Sequence, residues 1–261
     1  MKLSSANINV MVKACRKASK TLIRDFGEIE NLQVSIKGPG DFVTASDKKV
    51  EKILIDELQK ARPNYSILSE EIGKINNDES SKWIIDPIDG TANFLHGIPH
   101  FAISIGLEQD GEIICGIIYD PIKDEMFIAE KGNGAYLNNQ RIRVSSRSNL
   151  KNCIIFTGGP KKESQNIELS LKEYNNFSSK VLIPIRKLGS AALDMAYVAA
   201  GRCDGFWQRN LNYWDIAAGI ILVKESGGFV TDFRGENKYI ENKTILVTNS
   251  KINNEMIEVL K

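Results

Sequence analysis

Between residues 101 and 146 the chain passes through four short runs, FAISIGL, EIICGIIY, EMFIAE and IRVSS, separated by Asp-Gly, Asp-Pro and Asn-Gly signals. Short β-rich runs divided by such dipeptides pair as antiparallel hairpins, so this stretch predicts a meander. A sheet of this kind buries an apolar face only against other elements, so the rest of the chain has to supply the covering layers.

Helical spacing provides them. Ile8, Met11, Ala14, Cys15, Ala18, Leu22, Ile23 and Phe26 fall on one side of a helix near 7–26, and DKKVEKILIDELQKA repeats the pattern until Pro63 stops it. LQVSIK and YSIL read as strands before the meander. Beyond residue 152, strand candidates CIIFTG, VLIPIRKLG, CDGFWQ and ILVTN alternate with helices near 163–174, 190–200 and 214–226, and INNEMIEVL closes the chain. The fold class is α/β, or α+β by some schemes. The expected division is an N-terminal half, 1–150, and a C-terminal half, 151–261, forming one compact unit with a weak boundary near 145–152.

Composition removes several classes of function. With 34 basic and 33 acidic residues the net charge is +1, which offers no polybasic footprint for nucleic acid or membrane. Cys15, Cys115, Cys153 and Cys203 lie far apart with no CxxC pair, so they read as reduced core residues, not a zinc ribbon, dithiol centre or disulfide framework. The opening residues hold no apolar signal-peptide run, and no run of about 18 apolar residues occurs to span a bilayer. A cytoplasmic protein is expected.

The chemistry is carried by acids where strands end and helices begin. Glu70 and Glu71 follow YSIL, Asp86 and Asp89 follow the apolar run WII, and Asp215 opens WDIAAGIILV. Each alone reads as an exposed turn charge or a helix cap. In layered α/β proteins, however, ligands gather at strand ends, and acids brought into one crevice either become protonated or bind cations. Oxygen donors without histidine or cysteine favour a hard ion, Mg²⁺ before Zn²⁺. DPID adds a backbone logic: Pro87 lacks an N–H, the Ile88 carbonyl is left available between Asp86 and Asp89, and Gly90-Thr91-Ala92-Asn93 starts a short helix whose N–H groups suit a phosphate.

WIIDPIDGTANF resembles the first signature of the inositol monophosphatase family, and WDIAAGIILVKESGG, residues 214–228, resembles its second. KGPGDFVTASDKKVE, the strand leading into Ser69-Glu70-Glu71, and RKLGSAALDMAYVAAGRCDGFW also resemble family members, so the resemblance covers nearly the whole chain. It implies the layered α-β-α-β-α sugar-phosphatase fold and a Mg²⁺-dependent, lithium-sensitive phosphomonoesterase, commonly a homodimer. It implies Glu70, Asp86, the Ile88 carbonyl, Asp89 and Asp215 as metal ligands. Thr91 matches the residue that helps orient the attacking water, with Glu70 helping to activate it, and Asp47 matches an acid that reaches the metals through water. The Gly90 and Thr91 N–H groups match the phosphate cradle, and Gly189, Ser190 and Ala191 match the loop that contacts the substrate alcohol.

One position departs. Many family members carry a glutamate seven residues before the second-signature aspartate, where this chain has Gln208, an amide that accepts and donates but carries no charge. Inositol monophosphate is the leading substrate. The rivals are a fructose bisphosphate, histidinol phosphate or nucleotide 3′-phosphate phosphatase, or a dimeric partner of the transcription or RNA-processing machinery. His96 and His100 read as loop structure because Pro99 breaks any helix through them, Lys37 reads as a solvated lysine, and Met195, Tyr197 and Val198 read as core.

Overall fold

A computed structural model of the chain describes residues 5–29, 34–38, 41–159 and 167–261. Helix α1 (Ala6–Gly27) starts at Ser5, whose side chain accepts from Ile8 N at 3.3 Å, and buries Met11, Ala14, Ala18 and Leu22 along one face. A hairpin of β1 (Val34–Gly38) and β2 (Asp41–Thr44) leads into α2 (Ala45–Ala61). Leu32 and Gln33 of the predicted strand and Pro39 and Gly40 of its turn lie outside the described residues, as do 163–166 of the predicted helix near 163–174.

The sheet comprises β3 (Tyr65–Ser69), β4 (Gly73–Ile75), β5 (Asp78–Asp89), β6 (Ala102–Gln109), β7 (Glu112–Asp120), β8 (Glu125–Glu130), β9 (Gly134–Leu137) and β10 (Gln140–Ile142). Its order is β10-β9-β8-β7-β6-β5-β3-β4, antiparallel except where β3 pairs with β5. The meander is therefore present, but IRVSS is not a strand. Pairing ends at Ile142, and the following residues cross to the second sheet, held by Val144 N donating to Ser226 O at 3.2 Å and by the Ser145 hydroxyl on Asp204.

The second sheet, β11-β12-β14-β13, joins β11 (Ile155–Thr157), β12 (Gly205–Arg209), β14 (Thr244–Thr248) and β13 (Phe229–Thr231). VLIPIRKLG forms no strand: only Arg186 bridges Phe156, because Pro184 interrupts the run and has no N–H to donate. The remaining helices are α3 (Thr91–Leu95), α4 (Ile167–Ser178), α5 (Ala191–Ala199), α6 (Tyr213–Glu225) and α7 (Asn253–Leu260).

Strand alternation separates the apolar side chains into three clusters. Trp83, Ile85, Ile105 and Ile117 pack beneath α1 and α2, while Ile84 and Ile118 face α5 and α6. On the second sheet Phe206 and Val247 meet the α5–α6 layer from its other side, and Trp207 and Leu246 face α4 and α7, with the Phe177 and Trp207 rings 4.2 Å apart. The layers therefore run α-β-α-β-α. Helix α6, buried from Ile216 to Val223, is apolar on nearly every side because both of its faces meet protein. It seats against Gly106 and Gly116, which oppose each other on β6 and β7; a Cβ on Gly116 would stand 2.8 Å from Ala218 O. All four cysteines are buried and unpaired.

Candidate active site

The first acids are set by an irregularity in β5. Asp86 pairs with Ser104 but Asp89 with Ala102, so an extra residue is accommodated and the strand bulges while continuing through DPID. Pro87 donates nothing, and Ile88 N turns back to Asp86 Oδ1 at 3.1 Å. The Ile88 side chain is buried with the α1–α2 cluster, which fixes the direction of its carbonyl. That carbonyl is not unoccupied as the sequence suggests: Thr91 Oγ1 donates to it at 2.8 Å, so one of its two lone pairs is engaged. Gly90 follows at φ +97°, where a Cβ would lie 3.1 Å from His100 O and 3.3 Å from Gly189 O.

Asp215 arrives on α6. It is the third residue of the helix, not its cap, and its Oδ2 accepts from Asn212 N at 2.7 Å. A carboxylate has about four acceptor sites, so a capping role and a ligand role coexist in one side chain. Glu70 is placed by a residue that sequence reasoning passed over. Buried Glu51 of α2 accepts from the Ser69 hydroxyl, from Glu71 N at 3.1 Å and from Ile72 N at 3.2 Å, fixing the turn around Glu70.

These elements converge on a cleft of about 230 Å³, lined among others by Glu70, Asp86, Asp89, Thr91 and Asp215. Ile88, Gly90, Gly189, Ser190, Ala191 and Gln208 also line it, so of the predicted site residues only Asp47 stands outside the wall. Carboxylate oxygens of Asp86, Asp89 and Asp215 lie within 4.8 Å of one another. Burial, and then the charges of Glu70, Asp89, Asp215 and Asp47, hold the Asp86 carboxyl well above the usual range; Asp47 thus acts on the cluster electrostatically.

Ser190 lines the cleft, and its hydroxyl is engaged within the protein. It donates to Asp89 Oδ2, accepts from Leu193 N at 3.3 Å as the cap of α5, and is buried, while Ala192 N donates to the same Asp89 oxygen at 2.8 Å. Gly189, at φ +90°, lies against Asn93, whose amide donates to His100 O and Leu188 O at 2.7 Å each and ties the two halves of the wall together. Gln208 packs over Gly158, where a Cβ would be 2.2 Å from its Oε1. His96 and His100 lie in the loop after α3, and burial lowers the His100 imidazole to about 4, ahead of the effect of Lys123. Met195 and Val198 are core, with Tyr197 packed against them.

Sequence reasoning also missed Asp194. It lines the cleft from α5, its residue surface is 1% exposed, and neither carboxyl oxygen has a hydrogen-bond partner among the described residues. Burial, followed by the charge of Asp89, raises its carboxyl well above the usual range. Its signal was an acid inside the otherwise apolar run AALDMAYVAA. The donors grouped at the cleft are oxygens only, carboxylates and one strand-end carbonyl, and this set fits a hard divalent cation.

The profile of the Inositol monophosphatase family matches residues 5–260. The Inositol-1-monophosphatase of Rhizobium meliloti (strain 1021) is 50% identical over 258 residues, covering 98% of this chain and 97% of the relative. The Nus factor SuhB of Escherichia coli (strain K12) is 40% identical over 254 residues, covering 96% and 94%. Among solved structures, the extragenic suppressor protein suhB from Bartonella henselae superposes with a TM-score of 0.95 at 51% identity, over 98% of this chain and 99% of that one.

Proposed function

The chain belongs to the inositol monophosphatase family, a family of metal-dependent phosphomonoesterases, and from that premise we propose that it hydrolyses inositol monophosphate to inositol and phosphate with Mg²⁺ as its cofactor. The observation that carries this reading is the gathering of Asp86, Asp89 and Asp215, from two distant segments, within 4.8 Å in a cleft that also holds Glu70 and Thr91. Four acids, Glu70, Asp89, Asp215 and Asp47, act on the buried Asp86 carboxyl, and the five repel each other unless cations neutralise them. Asp86, the second lone pair of the Ile88 carbonyl, Asp89, Asp215 and Glu70 are the residues that would hold those cations. Bound there, they would supply Lewis-acid stabilisation of charge on the phosphoryl and leaving oxygens and would lower the pKa of the attacking water.

The chain's own groups do the positioning. Thr91 commits its hydroxyl proton to Ile88 O, so its oxygen acts as an acceptor, orienting a water by taking a hydrogen bond from it. Glu70, anchored through Glu51, accepts the proton as the water oxygen bonds to phosphorus and the P–O bond to the alcohol breaks, and the departing alkoxide takes its proton from a second water in the cleft. The N–H groups of Gly90 and Thr91, where α3 starts in the cleft wall, are the donors that suit phosphate oxygens. Gly189, Ala191 and Gln208 form the wall that the alcohol meets. No covalent phosphoenzyme is required.

No described helix is long and apolar enough to cross a membrane. A cytoplasmic homodimer acting on a small phosphate ester completes the proposal. The decisive experiment is phosphate release from inositol, sugar, histidinol and nucleotide monophosphates with Mg²⁺ and with chelator. Inositol monophosphate is expected to rank first, with no turnover in chelator and with lithium inhibiting. Full activity in chelator overturns the mechanism, and a different leading ester reassigns the substrate.

A further inference from the structure

Asp194 is the one cleft acid that the catalytic scheme above leaves without a task. A carboxyl group that is 1% exposed and has no partner on either oxygen is unsatisfied in both protonation states: the anion has no donor or cation, and the neutral acid has no acceptor for its O–H. None of the protein's ion pairs includes it among the described residues, and its charged neighbourhood holds Asp89 and the Cys203 thiol, neither of them cationic. Among the described residues nothing completes it, and the cleft that it lines is where a completing group fits. Its oxygens are not part of the group formed by Asp86, Asp89 and Asp215 within 4.8 Å, so a cation centred on those three meets Asp194 through water.

We propose that Asp194 is a positioning residue of the cation site, accepting hydrogen bonds from the hydration shell of a divalent cation gathered by Asp86, Asp89 and Asp215, and thereby setting the affinity for that cation. The inference rests on the cation reading given above. The placement explains how an acid is tolerated inside an apolar helix: the bound ion supplies the opposite charge and its waters supply the donors. Ser190 and Ala192, on the same turn of α5, grip Asp89 directly, so this one helix start serves the cluster both by direct contact and through solvent.

The test is calorimetric titration of the full chain with MgCl₂ in the absence of substrate, for wild type, Asp89→Asn, Asp194→Asn and Asp194→Leu, with metal-free melting curves as the folding control. Asp194→Asn and Asp194→Leu are expected to weaken Mg²⁺ binding tenfold or more and to raise the Mg²⁺ concentration needed for half-maximal activity, while kcat at saturating Mg²⁺ changes much less. Metal-free Asp194→Leu is expected to melt at or above the wild-type temperature, because a buried unpartnered polar group has been removed. If Asp194→Leu does not fold, Asp194→Asn alone decides. Binding curves of folded Asp194 variants that superimpose on wild type, while Asp89→Asn loses binding, overturn this inference and leave the cation reading standing. A wild-type chain that takes up no Mg²⁺, or an Asp89→Asn chain that takes up as much as wild type, overturns both.

Discussion

Two regions of this molecule bury acids, and they treat them in opposite ways. At the junction between the sheets, Asp204 is fully buried and surrounded by donors: the Ser145 hydroxyl, Arg147 Nη1 at 3.0 Å and Ile154 N at 2.8 Å. Asp232 is similar, accepting from Arg234 N, Glu236 N and the Asn242 amide. At the cleft, Asp86 is surrounded chiefly by other acids, and Asp194 has no partner among the described residues. Burial alone therefore does not mark a functional acid. The difference lies in what the neighbours bring: structural acids are supplied with donors by the fold, whereas cleft acids are crowded so that something outside the chain has to complete them.

The largest expected effect separates the two regions by activity. Asp89→Asn keeps the shape and the contacts from Ser190 and Ala192 but removes charge from the cluster, so turnover should fall by about 10³-fold or more with the fold retained. Near-normal Mg²⁺-dependent turnover would remove the cleft from the comparison. Asp204→Ala should do the reverse. It strands the Ile154 N–H and the Ser145 hydroxyl while the half-exposed Arg147 turns to water, and urea denaturation should show a loss of about 1–3 kcal/mol with nearly normal turnover per folded molecule.

A third prediction uses pH. The Asp86 carboxyl is raised in the metal-free fold, so the unfolded chain ionises first as pH rises. Stability present below the ordinary carboxylate range is then lost as pH climbs through the raised value. Mg²⁺ at about 100 times its Kd should stabilise the fold by roughly 2.7 kcal/mol, by binding the native state alone. The Mg²⁺-induced rise in melting temperature should be larger near pH 7.5 than near pH 5, because protons compete for the same oxygens. An equal rise at both values would mean that the cluster does not hold the ion.

The smallest effect adds an acid to the crowded side. Gln208→Glu places a charge where Gln208 now packs over Gly158, and should improve polyhydroxyl substrates by roughly 1–2 kcal/mol in kcat/KM. Mg²⁺ has to be saturating for both forms, since the new charge also attracts cations. Unchanged substrate rankings would show that this position does not set specificity.

Read residue by residue, the sequence goes far. Helical spacing placed α1, α2, α5, α6 and α7, and turn dipeptides placed the meander, because both signals are local and periodic. The places where it failed are instructive. IRVSS and VLIPIRKLG have strand-like composition but lie where the chain changes sheets or meets Pro184, and composition does not report whether a pairing edge is present. β9 and β10 turn tightly through Asn138 and Asn139, both at positive φ, a signal that was present in the sequence and went unused.

By itself, then, the sequence determined which segments carry acids, that these follow strands or open helices, and that their donors are oxygens. Only the tertiary structure decided which of those oxygens remain to be completed. Ser190 reaches Asp89 across 101 positions, while Thr91 occupies half of the Ile88 carbonyl and Glu51 braces the turn of Glu70 from another helix. Asp194, hidden in an apolar run, lines the cleft with no hydrogen-bond partner among the described residues. The physical reason is range: backbone preference is set by neighbours along the chain, whereas desolvation, Coulomb repulsion and hydrogen-bond satisfaction depend on groups that approach only after the layers have packed.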